Sequence, residues 1–128
     1  MRAGGVVVPL GPRLAEAELW QQIASSGTSA ISAVDQSLPP LAVPLLDGVS
    51  LGTPVVGTVH HDREECAVVH TSGTSGPARG VRLPYGSFES SAARSAAHLR
   101  HVGADRCLNV LPVRHIGGLS VAIRSARE

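Results

Sequence analysis

Residues 68–83 read VVHTSGTSGPARGVRL, and within them positions 71–80 hold three glycines, two threonines and two serines behind a short apolar run. Glycine reaches positive φ without a steric cost and lets the backbone approach a ligand, so successive N–H groups can point into one concavity. Thr71, Ser72, Thr74 and Ser75 add hydroxyls suited to phosphate oxygens, with Gly73, Gly76 and Gly80 between and after them. Arg79 adds a fixed charge on a planar fork of donors. Together these residues have the chemistry of a polyphosphate cradle. The stretch is not G-x-x-x-x-G-K-[ST], which needs a glycine at Ala78 and a lysine after it. Composition alone favours the alternative, a flexible surface turn.

What flanks the loop sets the fold expectation. CAVVHTSG (66–73) begins as an apolar β-branched run and reads as a strand. Behind the loop, PYGSFESSAARSAAHLRHVG (84–103) reads as a helix: Phe88, Ala92, Ala96 and Leu99 recur at i, i+4, i+8 and i+11, and Gly103 is the stop. The loop is therefore expected to lead from a strand toward a helix. Further upstream, GGVVVPL (4–10) reads as a buried strand. RLAEAELWQQIASSG (13–27) follows as a helix with Ala15, Leu19 and Ile23 on one face, and SAISAV (29–34) as a strand. Residues 35–54 carry four prolines among leucines and valines, which predicts an apolar loop. VVGTV (55–59) and CLNVLPV (107–113) read as strands, and a last helix begins in GGLSVAIRSARE (117–128). Strands alternating with helices predict an α/β fold: a partial, mostly parallel sheet flanked by helices.

Composition narrows the function classes. With 128 residues and a net charge of +1, the chain suits one modest domain and gives no electrostatic reason to bind nucleic acid or an anionic membrane. Trp20, Tyr85 and Phe88 are the whole aromatic complement, too few for a base-stacking platform. No apolar run reaches the ~18–20 residues that membrane insertion requires, and the first residues are too short an apolar stretch for a signal peptide. A cytoplasmic location is expected. Cys66 and Cys107 are far apart and read as reduced. All eleven cations are arginine, so an arginine at position 79 follows the chain's general usage.

His115 stands between the expected strand at 107–113 and the last helix, the end of a strand at which α/β folds bind ligands. A structural role for a single histidine competes with that reading. His98 and His101 share a helix face but lack a third ligand, so no metal site is expected; His60 and His61 read as solvated. Arg124 alone is an ordinary cation near a helix end. No catalytic constellation of Ser, His and Asp can be argued.

TSGTSGPARGV (71–81) resembles, without a gap, the phosphate-binding signature T-S-G-T-T-G-x-P-K-G-V of the adenylate-forming (AMP-forming) acyl-CoA synthetases. Two flanking stretches agree in order and spacing: RAGGVVVPLGPRLAEAELWQQIASSGTSAI (2–31) and NVLPVRHIGGLSVAIRSA (109–126). The second is similar to o-succinylbenzoate–CoA ligases of menaquinone biosynthesis. The loop departs from the signature where arginine replaces its lysine at Arg79 and Ala78 its proline, and Pro77 falls one place early.

The resemblance implies that residues 1–128 are part of the large N-terminal domain of an ATP-dependent acid–CoA ligase, without the small C-terminal domain. It implies ATP with Mg2+, coenzyme A and a small carboxylic acid, o-succinylbenzoate among them, as reactants. Thr71, Ser72, Gly73, Thr74, Ser75, Gly76, Arg79 and Gly80 are implied as the phosphate contacts. His115 and Gly118 are implied to line the acyl site, and Arg124 to partner a substrate carboxylate. The signature's later motifs for adenine, ribose and the catalytic lysine are not in this chain, which holds no lysine. The chain alone is thus expected to be inactive. The alternative is a non-catalytic nucleotide-binding or interaction module that retains the loop.

Overall fold

A computed structural model describes residues 5–29, 61–72 and 76–126. The described elements run in the order α1 (Glu16–Ser26), β1 (Glu65–His70), β2 (Gly80–Pro84), α2 (Tyr85–Leu99) and α3 (Ile116–Ser125). The strand expected at 29–34 beyond Ser29, the strand expected at 55–59, the apolar loop between them and His60 lie outside the described residues.

β1 is buried from Cys66 to Val69, as a β-branched run without interior charge favours. It pairs antiparallel with β2 from His70↔Gly80 back to Glu65↔Pro84, with a register irregularity between Glu65 and Ala67. The Cys66 thiol donates to the Leu83 carbonyl at 3.5 Å beside that irregularity. Residues 71–79 are therefore the connection of a β-hairpin. The expected passage from strand directly to helix is corrected: β2 intervenes, and α2 begins only at Tyr85.

The α/β class stands, and the expected strand at 4–10 reduces to one bridge. Val7 pairs in parallel with Ala67, through Val7 N–H to the Cys66 carbonyl and Val68 N–H to the Val7 carbonyl, both 2.9 Å. Among the described residues the pairing of whole strands is antiparallel, and the parallel component is this bridge.

α1 carries Glu16 and Glu18 in its first turn, where carboxylates oppose the positive helix end. It stops at Gly27, whose φ of 68° is the left-handed C-terminal cap. Its Leu19 and Ile23 pack with Leu10, Leu14 and Trp20. Buried Gln22 is satisfied by Glu18 one turn back, at 3.2 Å.

α2 has no side-chain cap at Pro84; backbone replaces it. Tyr85 N–H bonds the Glu64 carbonyl at 2.8 Å and Gly86 N–H the Asp62 carbonyl at 3.0 Å. A Cβ on Gly86 would fall 2.9 Å from that same carbonyl oxygen, so only glycine lets the turn close this tightly. Phe88 and Ala92 join Cys66, Ala67, Val69 and Leu119 in burial, and Phe88 lies in the main core cluster with the other four. The helix ends at Arg100 in a left-handed conformation, φ 54°, three residues before the expected stop.

The expected strand at 107–113 does not form a ladder. Asn109 diverts the backbone instead: its side-chain carbonyl accepts from Leu111 N–H at 3.2 Å, and its amide donates to the Gly118 carbonyl at 3.0 Å. Such local side-chain bonds compete with sheet pairing. Leu108 and Val110 consequently stand 85% and 76% exposed.

Candidate functional site

The hairpin loop is closed at its neck by two bonds between the same two residues. Thr71 N–H donates to the Arg79 carbonyl at 3.0 Å, and Arg79 N–H donates to the Thr71 hydroxyl oxygen at 3.1 Å. The Thr71 hydroxyl is thus held as an acceptor, leaving its own proton to donate to a ligand. Ser72 and the Arg79 side chain are exposed above the neck, while Ala78 is buried beneath it. Gly76 has φ 150°, a conformation side chains rarely adopt. Gly73, Thr74 and Ser75 lie outside the described residues.

Because the loop joins two strands, it is not seated on a helix N-terminus. The five residues of β2 put the start of α2 about 16 Å from the neck at the rise of an extended strand. A phosphate at the neck would therefore not sit on the N-terminus of α2.

One residue at the base of the loop was not singled out by its sequence pattern. His70 faces Gly80 across the hairpin, and a Cβ on Gly80 would lie 3.4 Å from its Nε2 and 2.8 Å from Val68 Cγ1. Both imidazole nitrogens are shut off from solvent without a hydrogen-bond partner. Burial pushes its pKa below the ordinary 6.5. No spacing signal marks such a residue; its place directly before Thr71 is the only clue.

The second group of candidates surrounds α3. His115 is the exposed residue at its N-terminal boundary, with φ −98° and ψ 145°. Its N–H bonds the Pro112 carbonyl and its carbonyl accepts from Leu119 N–H, both 3.0 Å. Arg114 Nε donates to His115 Nε2 at 3.2 Å. Gly118 is buried, and a Cβ there would run into the Leu111 and Pro112 carbonyl oxygens, so this glycine permits the helix to dock on the segment before it.

Arg124 follows His115 by nine residues, or about two and a half helical turns, which sets it on the opposite side of α3. Its Nη2 lies 4.0 Å from the Cys107 sulfur, and its Nε is buried without a partner. The structure thus joins Thr71, Arg79 and Gly80 at one neck. It does not bring Arg124 beside His115.

Cys66 and Cys107 are both free thiols, the first buried and the second exposed. His61 and His98 are exposed and His101 half-buried, and no cluster of metal-ligating side chains occurs among the described residues. Among them, too, no helix is long and apolar enough to cross a membrane.

The profile of the family described as "AMP-binding enzyme" matches residues 1–126. The chain belongs to the AMP-binding enzyme family. The chain is 31% identical over 127 residues to a 2-succinylbenzoate–CoA ligase of Bacillus cereus (strain AH820), covering 96% of itself and 26% of that protein. It spans about a quarter of the length of the curated relatives it matches. Among solved structures it resembles a malonyl-CoA ligase in a ternary product complex with methylmalonyl-CoA and AMP. That match has a TM-score of 0.88 and 30% identity, and covers 98% of this chain and 28% of that one. It also resembles the o-succinylbenzoate coenzyme A synthetase of Bacillus subtilis in complex with AMP: TM-score 0.74, 28% identity, 91% and 32% covered.

Proposed function

We propose that residues 1–128 are part of the large N-terminal domain of an AMP-forming acid–CoA ligase, and that the hairpin loop 71–80 is its grip on the ATP phosphates. The observation that carries this is the neck: Thr71 and Arg79, the first and ninth residues of the signature, are bonded to each other twice. A closed neck holds the two ends of the loop together, as a loop that wraps a phosphate requires.

In the parent reaction a carboxylate oxygen attacks the α-phosphorus of ATP, giving an acyl-adenylate and releasing pyrophosphate. The thiol of coenzyme A then displaces AMP to form the thioester. Loop residues Thr71, Ser72, Gly73, Thr74, Ser75, Gly76 and Gly80 orient the β- and γ-phosphates, and Arg79 neutralises charge on the leaving pyrophosphate. Mg2+ enters as the counter-ion of ATP, and no described residue is assigned to it. His115 and Gly118 border the acyl site. The similarity to 2-succinylbenzoate–CoA ligases favours o-succinylbenzoate as the acid, with Arg124 as the partner of its second carboxylate.

We further propose that the chain alone completes neither half-reaction, because it contains no lysine to serve as the catalytic lysine that the family resemblance implies. Titration with Mg-ATP tests the phosphate grip: binding is expected, weakened about 10- to 100-fold in Arg79→Ala by loss of charge-assisted bonds. ATP–pyrophosphate exchange with o-succinylbenzoate tests the incompleteness, and robust exchange by the 128-residue chain contradicts it.

A further inference from the structure

Arg114 lies between two features that constrain it. On one side its Nε donates to His115 Nε2 at 3.2 Å. On the other its shaft runs over Gly11, where a Cβ would come within 3.0 Å of Arg114 Cδ and 3.2 Å of its Nη1. Gly11 precedes α1, so the arginine reaches from the α3 boundary back across the chain to a place that only a hydrogen leaves open. Arg114 is half-buried, whereas His115 is exposed.

The bond dictates where the imidazole proton resides. A guanidinium donates and does not accept, so Nε2 must hold its lone pair and the ring proton must be on Nδ1. In water the neutral side chain favours the other form, with the proton on Nε2. We infer that Arg114 is a positioning residue for His115: it selects the Nδ1–H tautomer and thereby turns the edge of the ring that is free for a ligand into a hydrogen-bond donor. Resting on the assignment of His115 to the acyl site, this predicts preference for acids that place an oxygen acceptor, a ketone or a second carboxylate, against the ring. An acid offering only hydrocarbon or an N–H group there leaves the donor unpaired, which is costly once water is excluded.

The test uses the full 128-residue chain labelled with 15N-histidine, read by long-range 1H–15N correlation at pH 8. For His115 the expected spectrum has Nε2 at a pyridine-type shift and Nδ1 at a pyrrole-type shift. Arg114→Leu is expected to move the ring to the Nε2–H form. Gly11→Ala is a second route to the same result, because the new methyl meets the movable end of the arginine and displaces it without removing a core group. Nε2–H in the unsubstituted chain, or an unchanged tautomer in both variants, overturns the inference. Adding o-succinylbenzoate separates it from the function it rests on. If the tautomer behaves as stated but the His115 signals do not respond to the acid, the acyl-site assignment fails while the Arg114–His115 coupling survives.

Discussion

At the residue scale the decisive contacts are those that fix the loop neck and its base. Gly80 has a hydrogen where any other residue would carry a carbon 2.8 Å from Val68 Cγ1 and beside the His70 ring. Gly80→Ala is expected to lose about 1–3 kcal/mol by overpacking, measured by urea denaturation of the chain. His70 gives the same region a pH dependence. Its folded pKa is lowered by burial, so the folded state binds fewer protons than the unfolded one below the ordinary 6.5. Stability is therefore full above pH 6.5 and falls as the pH drops below it. Replacing the ring by a non-titrating one, His70→Phe, is expected to flatten that acid slope; an unchanged slope would show that other groups carry it. Buried Cys66 acts at the other end, since its raised pKa makes stability decline as the pH climbs past 9.0.

At the element scale α3 offers the clearest contest between local and tertiary preference. Alanine in a helix interior gains roughly 1 kcal/mol over glycine, so Gly118→Ala should stabilise α3 in isolation. Here the methyl would meet two backbone carbonyls, which cannot yield as a side-chain tip can. The clash wins, and a net loss of about 1–3 kcal/mol is expected in thermal or urea unfolding. The three helices were legible in the sequence because apolar spacing and a glycine stop agree in α1, and the i, i+4 pair Phe88 and Ala92 marks the buried side of α2. β2 was not. It is five residues long, begins with glycine, ends with proline and is exposed over its first half, so neither alternation nor burial marks it. Residues 107–113 erred the other way: the apolar run looks like a strand, but Asn109 binds its own neighbourhood and draws the chain out of a ladder. The loop's hairpin setting was not readable, because it depends on the unrecognised strand.

At the scale of the whole molecule the distribution of apolar surface matters most. Leu108, Val110, Leu111, Val113 and Ile116 are exposed within nine residues, a concentration of exposed apolar side chains of the kind that promotes association. The double substitution Leu108→Ser, Val110→Ser is expected to reduce self-association in light scattering while leaving the unfolding midpoint nearly unchanged, since neither side chain is buried. A large fall in the midpoint would place them in a core instead. The central claim, that the 71–80 hairpin loop grips the phosphates of ATP, is most directly tested by mapping Mg-ATP onto the backbone amides of the 15N-labelled chain. The account predicts saturable shifts at Thr71, Ser72, Arg79 and Gly80 and in the loop between, largely lost in Arg79→Ala. Saturable shifts that leave the loop untouched, or no shifts at millimolar ATP, would contradict it.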